Sequence, residues 1–396
     1  MRTTVQDVPG LAEVLAPDGW PNASSASLGA GDPGRYNCLF GRDSLITALA
    51  VLPARPDVAA ATLRALAAIQ GTREDVTWDE EPGKIVHEVR PGISVARQGY
   101  LGLEVPDGEL RYYGSADATP LFLHVLAMTG DAALAAELEP AWRAAGDWLL
   151  RALERGGGLL RWHRRAPGGL AQQGWRDTVD PVGQEGSPSQ GSGIVHEDGS
   201  APEPPVADAD TQAAALAGLR GLAKLSGDGA HAEAARALAA RVGAAWDPET
   251  MALDAHDRPV RGAGSQLGWL LWAGVPVAGA AERLAEPDVL TDYGLRTLSD
   301  RHPQFDPQSY HRGSVWPFDS WLGWGGLRAA GHAETAERAR RGVLAGVERI
   351  GHYPELYAVT DAGPEVATLS NFVQAWTVGA VWALRNEWDG GAHVVA

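Results

Sequence analysis

The chain has 396 residues, of which 45% are hydrophobic, and its formal net charge at pH 7 is -17. This length can bury one large core or two ordinary ones. Binding to phosphates requires clustered Lys and Arg, so the acidic charge argues against nucleic acid as a partner. No uninterrupted apolar run of about 18 residues occurs in the sequence, and we therefore expect no membrane-spanning segment.

The number of cysteines and the N-terminal sequence indicate the cellular compartment. The single cysteine, Cys38, cannot form an internal disulfide, and the first ten residues lack the apolar core of a signal peptide. Both features favour a cytoplasmic protein, although one cysteine does not exclude secretion. The sequence contains no His-x-x-x-His pair and no cysteine cluster, so we predict neither a metal nor another cofactor.

Apolar residues recur at helical spacing along most of the chain. Leu63, Leu66 and Ile69 precede Gly71, and the run from Leu216 to Leu225 has the same spacing. Further helices are predicted at 43–52, 117–129, 133–154, 230–245, 265–273, 278–285, 319–330, 333–349 and 371–387, which makes about eleven in all.

The predicted helices are of two kinds. The stretch from Phe372 to Leu384 is apolar nearly all round, whereas the stretch from Glu334 to Glu348 carries many charges. Alternating buried and exposed helices favour an all-α fold with two concentric rings, an (α/α)6 toroid, in a single domain over residues 1–396. A layered bundle or a solenoid is the alternative, but no repeat of fixed period supports a solenoid.

Residues 180–208 are rich in Pro, Gly, Ser and acids. Such a composition fits either a linker or a long loop over a site, because long loops within a compact domain are usually functional lids or disordered.

Three blocks couple a carboxylate to aromatic side chains: Gln173–Asp177, His311–Asp319 and Tyr353–Thr360. Two carboxylates on either side of a pyranose ring are what acid-base hydrolysis of a glycosidic bond requires. The sequence also has fifteen tryptophans against five phenylalanines, and the indole face and N–H suit a sugar as well as a core. Asp177 and Glu355 are the candidate catalytic pair, with a carbohydrate as the partner.

Several of these blocks resemble the amylo-α-1,6-glucosidase, or glycogen-debranching, family. The resemblance covers positions from about 38 to 385, in the family's order. That family is similar to the glucoamylases and trehalases, which implies an inverting (α/α)6 enzyme. The matching blocks are Phe40–Leu49, Asp79–Glu88, Tyr112–Phe122, Gln173–Asp180, Gly294–Ser299, Ser309–Asp319, Pro354–Leu356 and Gln374–Trp376.

The resemblance implies roles for the two carboxylates. Asp177 matches the general acid, and burial beside Trp175 would raise its pKa, although Arg176 could oppose that shift by turning inward. Asp180 is the alternative acid. Glu355 matches the general base that holds a water, and inversion predicts a carboxyl separation of roughly 6.5–9.5 Å.

The same resemblance implies a sugar-binding pocket. Arg42 and Asp43 match a pair that grips ring hydroxyls, although on their own they could be an ordinary helix start. The remaining candidates either line the pocket or support residues that line it. They are His87, Glu88, Asp117, Trp175, His311, Trp316 and Asp319, with weaker matches at Gln212 and Gln374.

Departures from the family concern the substrate. A β-rich region usually precedes the helical domain, yet here Phe40 comes almost at once, so we do not expect bulky glycogen to be attacked. Arg312 and Phe318 stand where the family usually has Asn and His, and Arg312 adds a positive charge on the aglycone side. A short oligosaccharide or a small anionic glycoside such as glucosylglycerate is therefore a candidate substrate.

Two other classes of function stay open at this point. A sugar epimerase or isomerase would use paired histidines such as His87, His311 and His352 for proton abstraction. A non-catalytic sugar binder would need the aromatic pocket but neither Asp177 nor Glu355. The motifs do not specify an oligomeric state.

Overall fold

The computed structural model describes residues 6–25, 36–91, 109–182 and 191–393. Helices dominate these residues. They are α1 (Gly41–Val51), α2 (Pro56–Ala68), α3 (Ala118–Thr129), α4 (Ala132–Glu137), α5 (Glu139–Arg155), α6 (Ala209–Ser226), α7 (Gly229–Ala245), α8 (Gln266–Trp272), α9 (Ala280–Leu284), α10 (Pro317–Ala329), α11 (Ala333–Ile350) and α12 (Ala375–Arg385), together with a short 3-10 helix at Leu11–Glu13.

Short strands occupy the connections between helices, and they pair antiparallel. The sheets have the orders β1-β2-β3, β4-β5-β6, β7-β8 and β9-β10. Strand β1 runs directly into α1, and β4 runs directly into α6, so these strands fix where the two helices begin. Their bounds are β1 (Leu39–Phe40), β2 (Glu88–Pro91), β3 (Glu109–Tyr112), β4 (Ala207–Asp208), β5 (Thr250–Leu253), β6 (Pro259–Arg261), β7 (Leu290–Thr291), β8 (Gly294–Leu295), β9 (Tyr357–Thr360) and β10 (Gly363–Val366).

Six helices form the centre of the fold. Every residue of α1 and α8 is buried, and α3, α6, α10 and α12 are buried over most of their length. Helix α1 contacts α3, α3 contacts α6, α6 contacts α8, α8 contacts α10, α10 contacts α12, and α12 returns to α1. The contacts among these six helices therefore close into a cycle.

The other helices pack on the outside of this cycle. Helix α2 contacts α1 and α3, α5 contacts α3 and α6, α7 contacts α6, α9 contacts α8, and α11 contacts α10 and α12. Helix α11 buries Ala336, Ala339, Val343 and Val347 and leaves charged residues outside, as its amphipathic sequence predicts. The predicted helical fold class is confirmed. None of the described helices combines the length and apolarity needed to cross a bilayer.

Two predicted helices differ from the structure. The predicted helix at 133–154 is two helices, because Pro140 lies in the first turn of α5 and lacks the N–H that would continue α4. The predicted helix at 371–387 begins only at Ala375. Gln374 has an extended backbone, and the side chain of Asn371 is bound to Glu355 instead of lying on a helix.

The segment predicted as a lid or linker, 180–208, is described except for residues 183–190. Its later part is packed. Ile194 is buried against Trp162, Val206 and Met251. The side chain of Gln172 donates to the Ile194 carbonyl and accepts from the Ile194 amide, each at 2.7 Å. This part of the segment is therefore bound to the block that carries Asp177.

Candidate active site

The N-terminal ends of the six central helices carry the polar residues of the site. A helix N-terminus bears partial positive charge, which favours carboxylates in or just before the first turn. Hydrogen bonds and ion pairs connect the ends of several neighbouring helices in this cycle. The residues are Asp43 in α1, Asp117 before α3, Asp210 in α6, Ser265 before α8, Asp319 in α10 and Gln374 before α12.

A pocket lies at this end of the helices, and it is the cavity of the candidate site. Both predicted catalytic carboxylates, Asp177 and Glu355, line it. Six of the predicted binding residues also line it: Arg42, Asp43, His87, Trp175, His311 and Trp316. The sequence did not lead us to select the other five lining residues, which are Tyr36, Phe40, Leu170, Tyr310 and Trp376.

Aromatic rings form much of the cavity wall. The Trp316 ring stacks on His311 at 5.2 Å between centroids and meets Trp175 edge-on at 5.4 Å. Within the described residues, Trp175 Nε1, Trp376 Nε1 and Asp43 Oδ2 are buried without a hydrogen-bond partner. Unsatisfied buried donors and acceptors are costly, so this cavity suits a ligand that has several hydroxyl groups.

Asp177 is held by an ion pair. Arg42 Nη2 donates to its Oδ2 at 2.6 Å, and the Nε2 atoms of His87 and His311 lie 3.8 and 4.0 Å from its carboxylate oxygens. Burial alone would raise the pKa of Asp177, but Arg42, followed by His311 and His87, lowers it well below its usual range. The expected rise of this pKa is therefore absent, and Asp177 is ionised at neutral pH.

Arg176 does not act on Asp177 as the sequence allowed. Its guanidinium is buried and donates to Asp210 at 3.0 Å, to the Thr297 carbonyl at 2.9 Å and to Ser265 Oγ at 2.8 Å. It anchors the 173–177 block to the ends of α6 and α8. Asp180, the alternative acid, does not line the cavity, and its Oδ1 accepts from the Val182 amide.

Arg42 is at the centre of a buried charge cluster. Besides Asp177, its Nη1 donates to Asp117 at 3.3 Å and to the Gly174 carbonyl at 3.1 Å, and its Nε lies 3.8 Å from Asp43. Asp117 also accepts from Ser115 Oγ at 2.6 Å. Asp117 therefore supports Arg42 and does not itself line the cavity.

Glu355 has a different environment. The Tyr310 hydroxyl donates to its Oε1, and Asn371 donates to its Oε2 from Nδ2 at 2.8 Å and from the backbone amide at 3.3 Å. Burial raises the pKa of Glu355 to about 8, although the Tyr310 and Asn371 hydrogen bonds oppose that rise and Asp43 adds to it. The pKa values of Asp177 and Glu355 are therefore shifted in opposite directions.

Four predicted pocket residues lie outside the cavity lining: Gln374 and three acidic residues, of which Asp117 is the first. Glu88, in β2, is paired with Arg90 at 2.5 Å. Asp319 accepts from Trp269 Nε1 at 2.7 Å, and burial raises its pKa to about 7 against the opposing charge of Arg176. All three hold other parts of the site in place.

Gln374 connects Asp43 to Asn371, the residue that binds Glu355. Its Nε2 donates to Asp43 at 3.4 Å, and its Oε1 accepts from Asn371 at 3.3 Å. Gln212 bonds to both the amide and the carbonyl of Leu160, so its role is structural. No group of three or more His, Cys, Asp or Glu residues is placed to hold a metal ion in the described parts of the chain.

The lining residues that were not selected differ in the signal they leave in the sequence. Tyr310 directly precedes His311 in a block that was recognised, and Trp376 ends the block that begins at Gln374, so both could have been chosen. Tyr36 lies outside every recognised block, and no local pattern points to it. Leu170 likewise lies outside every recognised block.

Residues 36–363 match the family model described as the mannosylglycerate hydrolase MGH1-like glycoside hydrolase domain. The chain belongs to this family. The resemblance to glycogen-debranching enzymes was therefore right about a glycoside hydrolase, but the MGH1-like family is the one that the comparison supports. No curated protein sequence matches the chain.

Solved structures agree with the MGH1-like assignment at the level of the fold. The chain is similar to the GH63 mannosylglycerate hydrolase from Thermus thermophilus in complex with Tris and D-glycerate, with a TM-score of 0.65, 18% identity and coverage of 95% of this chain and 98% of that one. For the same enzyme in complex with glucose, the TM-score is 0.64 and the identity is 19%, with coverage of 94% of this chain and 97% of that one. For a structure described as a wild-type glycosidase, the TM-score is 0.54 and the identity is 15%, with coverage of 96% of this chain and 94% of that one.

Proposed function

We propose that this MGH1-like protein is an inverting hydrolase that releases an α-linked hexose from a small anionic aglycone such as glycerate. The observation that carries the proposal is one aromatic-walled cavity that both Asp177 and Glu355 line. The closed cycle of six buried helices supports an (α/α)6 toroid around that cavity. The family, and the glycerate complex of the Thermus enzyme, support a small anionic substrate over a branched glucan.

In this mechanism one carboxyl group donates a proton and the other accepts one. Protonated Asp177 donates to the glycosidic oxygen as the bond from the anomeric carbon to that oxygen breaks. Glu355 takes a proton from the water that attacks the anomeric carbon from the opposite face. The products are the free aglycone alcohol and a hexose of inverted anomeric configuration.

Asp177 must gain a proton before it can act as the acid, because its ion pair with Arg42 keeps it ionised. A substrate group that takes the Nη2 hydrogen of Arg42 would weaken that pair. A negative charge on the aglycone would also raise the pKa of Asp177 by repulsion between like charges. An anionic substrate would therefore favour protonation of Asp177, the general acid that acts on it.

Arg312 is a candidate for binding the aglycone carboxylate. It lines a second, small pocket, which shares His311 with the first. Within the described residues its Nε is buried without a hydrogen-bond partner. Burial lowers the pKa of this guanidinium, and Asp306 partly offsets the effect. Pairing with a carboxylate would stabilise the charge.

A matched pair of substrates tests the preference for an anionic aglycone. Glucosylglycerate and glucosylglycerol differ only in a carboxylate against a hydroxymethyl group. We expect kcat/KM to be about tenfold or more higher for the carboxylate, since hydrogen bonds to charged groups contribute about 1.5–3 kcal/mol. Arg312→Gln should reduce that ratio. Mannosylglycerate, isomaltose and panose complete the panel.

The control is Arg328→Gln, because Arg328 lies in the last turn of α10, away from the end that forms the site. It should leave the ratio unchanged. Equal kcat/KM for the two glycosides would remove the anionic aglycone from the proposal. Preferential cleavage of isomaltose and panose would favour the debranching-type activity instead.

A further inference from the structure

The Glu355 carboxylate is surrounded by hydrogen-bond donors. It accepts one bond on Oε1, from the Tyr310 hydroxyl, and two on Oε2, from the Nδ2 and backbone amide of Asn371. An ionised carboxylate has about four acceptor positions. Among the described residues these three bonds are the ones that Glu355 receives through its side chain, which leaves about one position for a further donor.

We infer that Tyr310 and Asn371 are positioning residues that stabilise the charged form of Glu355 against burial and leave its carboxylate one position at which to orient a single water. This inference rests on the proposed role of Glu355 as the base that activates water. A carboxylate that accepts several hydrogen bonds is stabilised in its charged form, and a fixed orientation of its free lone pair directs the attacking water.

Tyr310 is itself held firmly. Its backbone carbonyl accepts from Ser314 Oγ and from Trp316 Nε1, each at 2.8 Å. Its ring packs edge-on against His311 and Trp316, at centroid distances of 4.7 and 4.8 Å. Burial, followed by the nearby Glu355 charge, raises the pKa of Tyr310 well above its usual value, so its hydroxyl keeps its proton and remains a donor.

Asn371 is held by a reciprocal arrangement. The Glu355 amide donates to the Asn371 carbonyl at 3.0 Å, while the Asn371 amide and side chain donate back to the Glu355 carboxylate. The Asn371 side chain also donates to Gln374 at 3.3 Å. The orientation of Glu355 is therefore fixed at both its backbone and its side chain.

The charges around Glu355 oppose its ionisation. Asp43, from α1, raises the pKa of Glu355, and Asp177 lies in the same cavity with its charge balanced by Arg42. Gln374, which precedes α12, is neutral and acts through Asn371. Tyr310 and Asn371 thus provide the hydrogen bonds that counteract burial and Asp43. Without them the carboxyl would be protonated over a wider range of pH.

Tyr310→Phe tests the inference through the pH profile of kcat/KM. Glu355 must be ionised, so activity rises with pH through its pKa, and loss of the hydroxyl should move that rise upward by about one pH unit or more. Tyr357→Phe is the matched control, because its buried hydroxyl donates to the Tyr293 carbonyl and not to Glu355. Asn371→Ala is the second variant, and it should also move the rise upward.

A titration that does not depend on turnover separates this inference from the proposed function. The Glu355 carboxyl can be followed by ¹³C NMR in protein labelled at glutamate, with Glu355→Gln identifying its signal. An upward shift in Tyr310→Phe or Asn371→Ala, absent in Tyr357→Phe, would support the inference even if no glycoside in the panel were cleaved. Unshifted carboxyl titrations in folded Tyr310→Phe and Asn371→Ala would overturn it, whatever the activity.

Discussion

Asp177→Asn and Glu355→Gln should each lower kcat for the natural glycoside by about 10²–10⁴-fold. Each substitution keeps the size of the side chain and removes the group that donates or accepts a proton. Asp180→Asn is the matched control, because Asp180 lies three residues from Asp177 but does not line the cavity. It should retain most of the activity. Initial rates at saturating substrate measure the effect.

Activated substrates distinguish the two roles. A glycoside whose leaving group needs no protonation, such as a dinitrophenolate, bypasses the general acid. Asp177→Asn should therefore regain much of its activity on that substrate, whereas Glu355→Gln should not, because attack by water still requires a base. The opposite pattern would exchange the roles, in keeping with the opposed pKa shifts of the unliganded site. Full activity of both variants on the natural glycoside would remove the pair from catalysis.

Arg42→Met should destabilise the folded protein by about 3–5 kcal/mol at neutral pH, because it leaves buried carboxylates without their partner. Arg42 is buried and contacts Asp43, Asp117 and Asp177. The free energy of unfolding in urea measures the effect. Arg64→Met is the control, since Arg64 pairs with Glu137 at the same 2.6 Å but at the protein surface. Exposed pairs add little, so that variant should be nearly as stable as the wild type.

The loss of stability in Arg42→Met should depend on pH in a defined direction. The pKa of Asp177 is depressed in the folded protein, so its contribution is present above the unfolded pKa of about 3.9 and is lost as the pH falls through the lower folded value. Without Arg42, burial raises the pKa above the unfolded value, and the variant gains stability as the pH falls. The difference between wild type and variant should therefore shrink as the pH falls from neutrality towards the unfolded pKa of about 3.9. A difference that is constant over this range would contradict the electrostatic account.

The blocks that predicted the site draw on chemistry that is local in sequence. Asp177 and Glu355 each stand beside aromatic residues that can be read from a few neighbouring positions, and both line the cavity. The ion pair between Arg42 and Asp177 joins residues 135 positions apart, so no local pattern indicated that it would lower the pKa of the acid. The environment of a carboxylate depends on tertiary packing more than on its neighbours in the chain.

The fold was predictable to a similar extent. Apolar spacing located the buried and the amphipathic helices, because that spacing determines which face of a helix can enter a core. It did not locate the short strands, which are two to four residues long and too brief to show alternation. Pro140 could have divided the predicted helix at 133–154, since a proline inside a helical pattern marks a boundary.

The most direct test of the central claim is proton NMR of the anomeric signals during digestion of α-glucosylglycerate and α-mannosylglycerate. Inverting hydrolysis predicts that the β-anomer of the free hexose appears first and then mutarotates, and that Glu355→Gln releases hexose about 10²–10⁴-fold more slowly. Initial release of the α-anomer would contradict inversion. Failure of the wild-type protein to cleave either glycerate glycoside, while it binds them, would contradict the proposed hydrolase activity on small anionic glycosides.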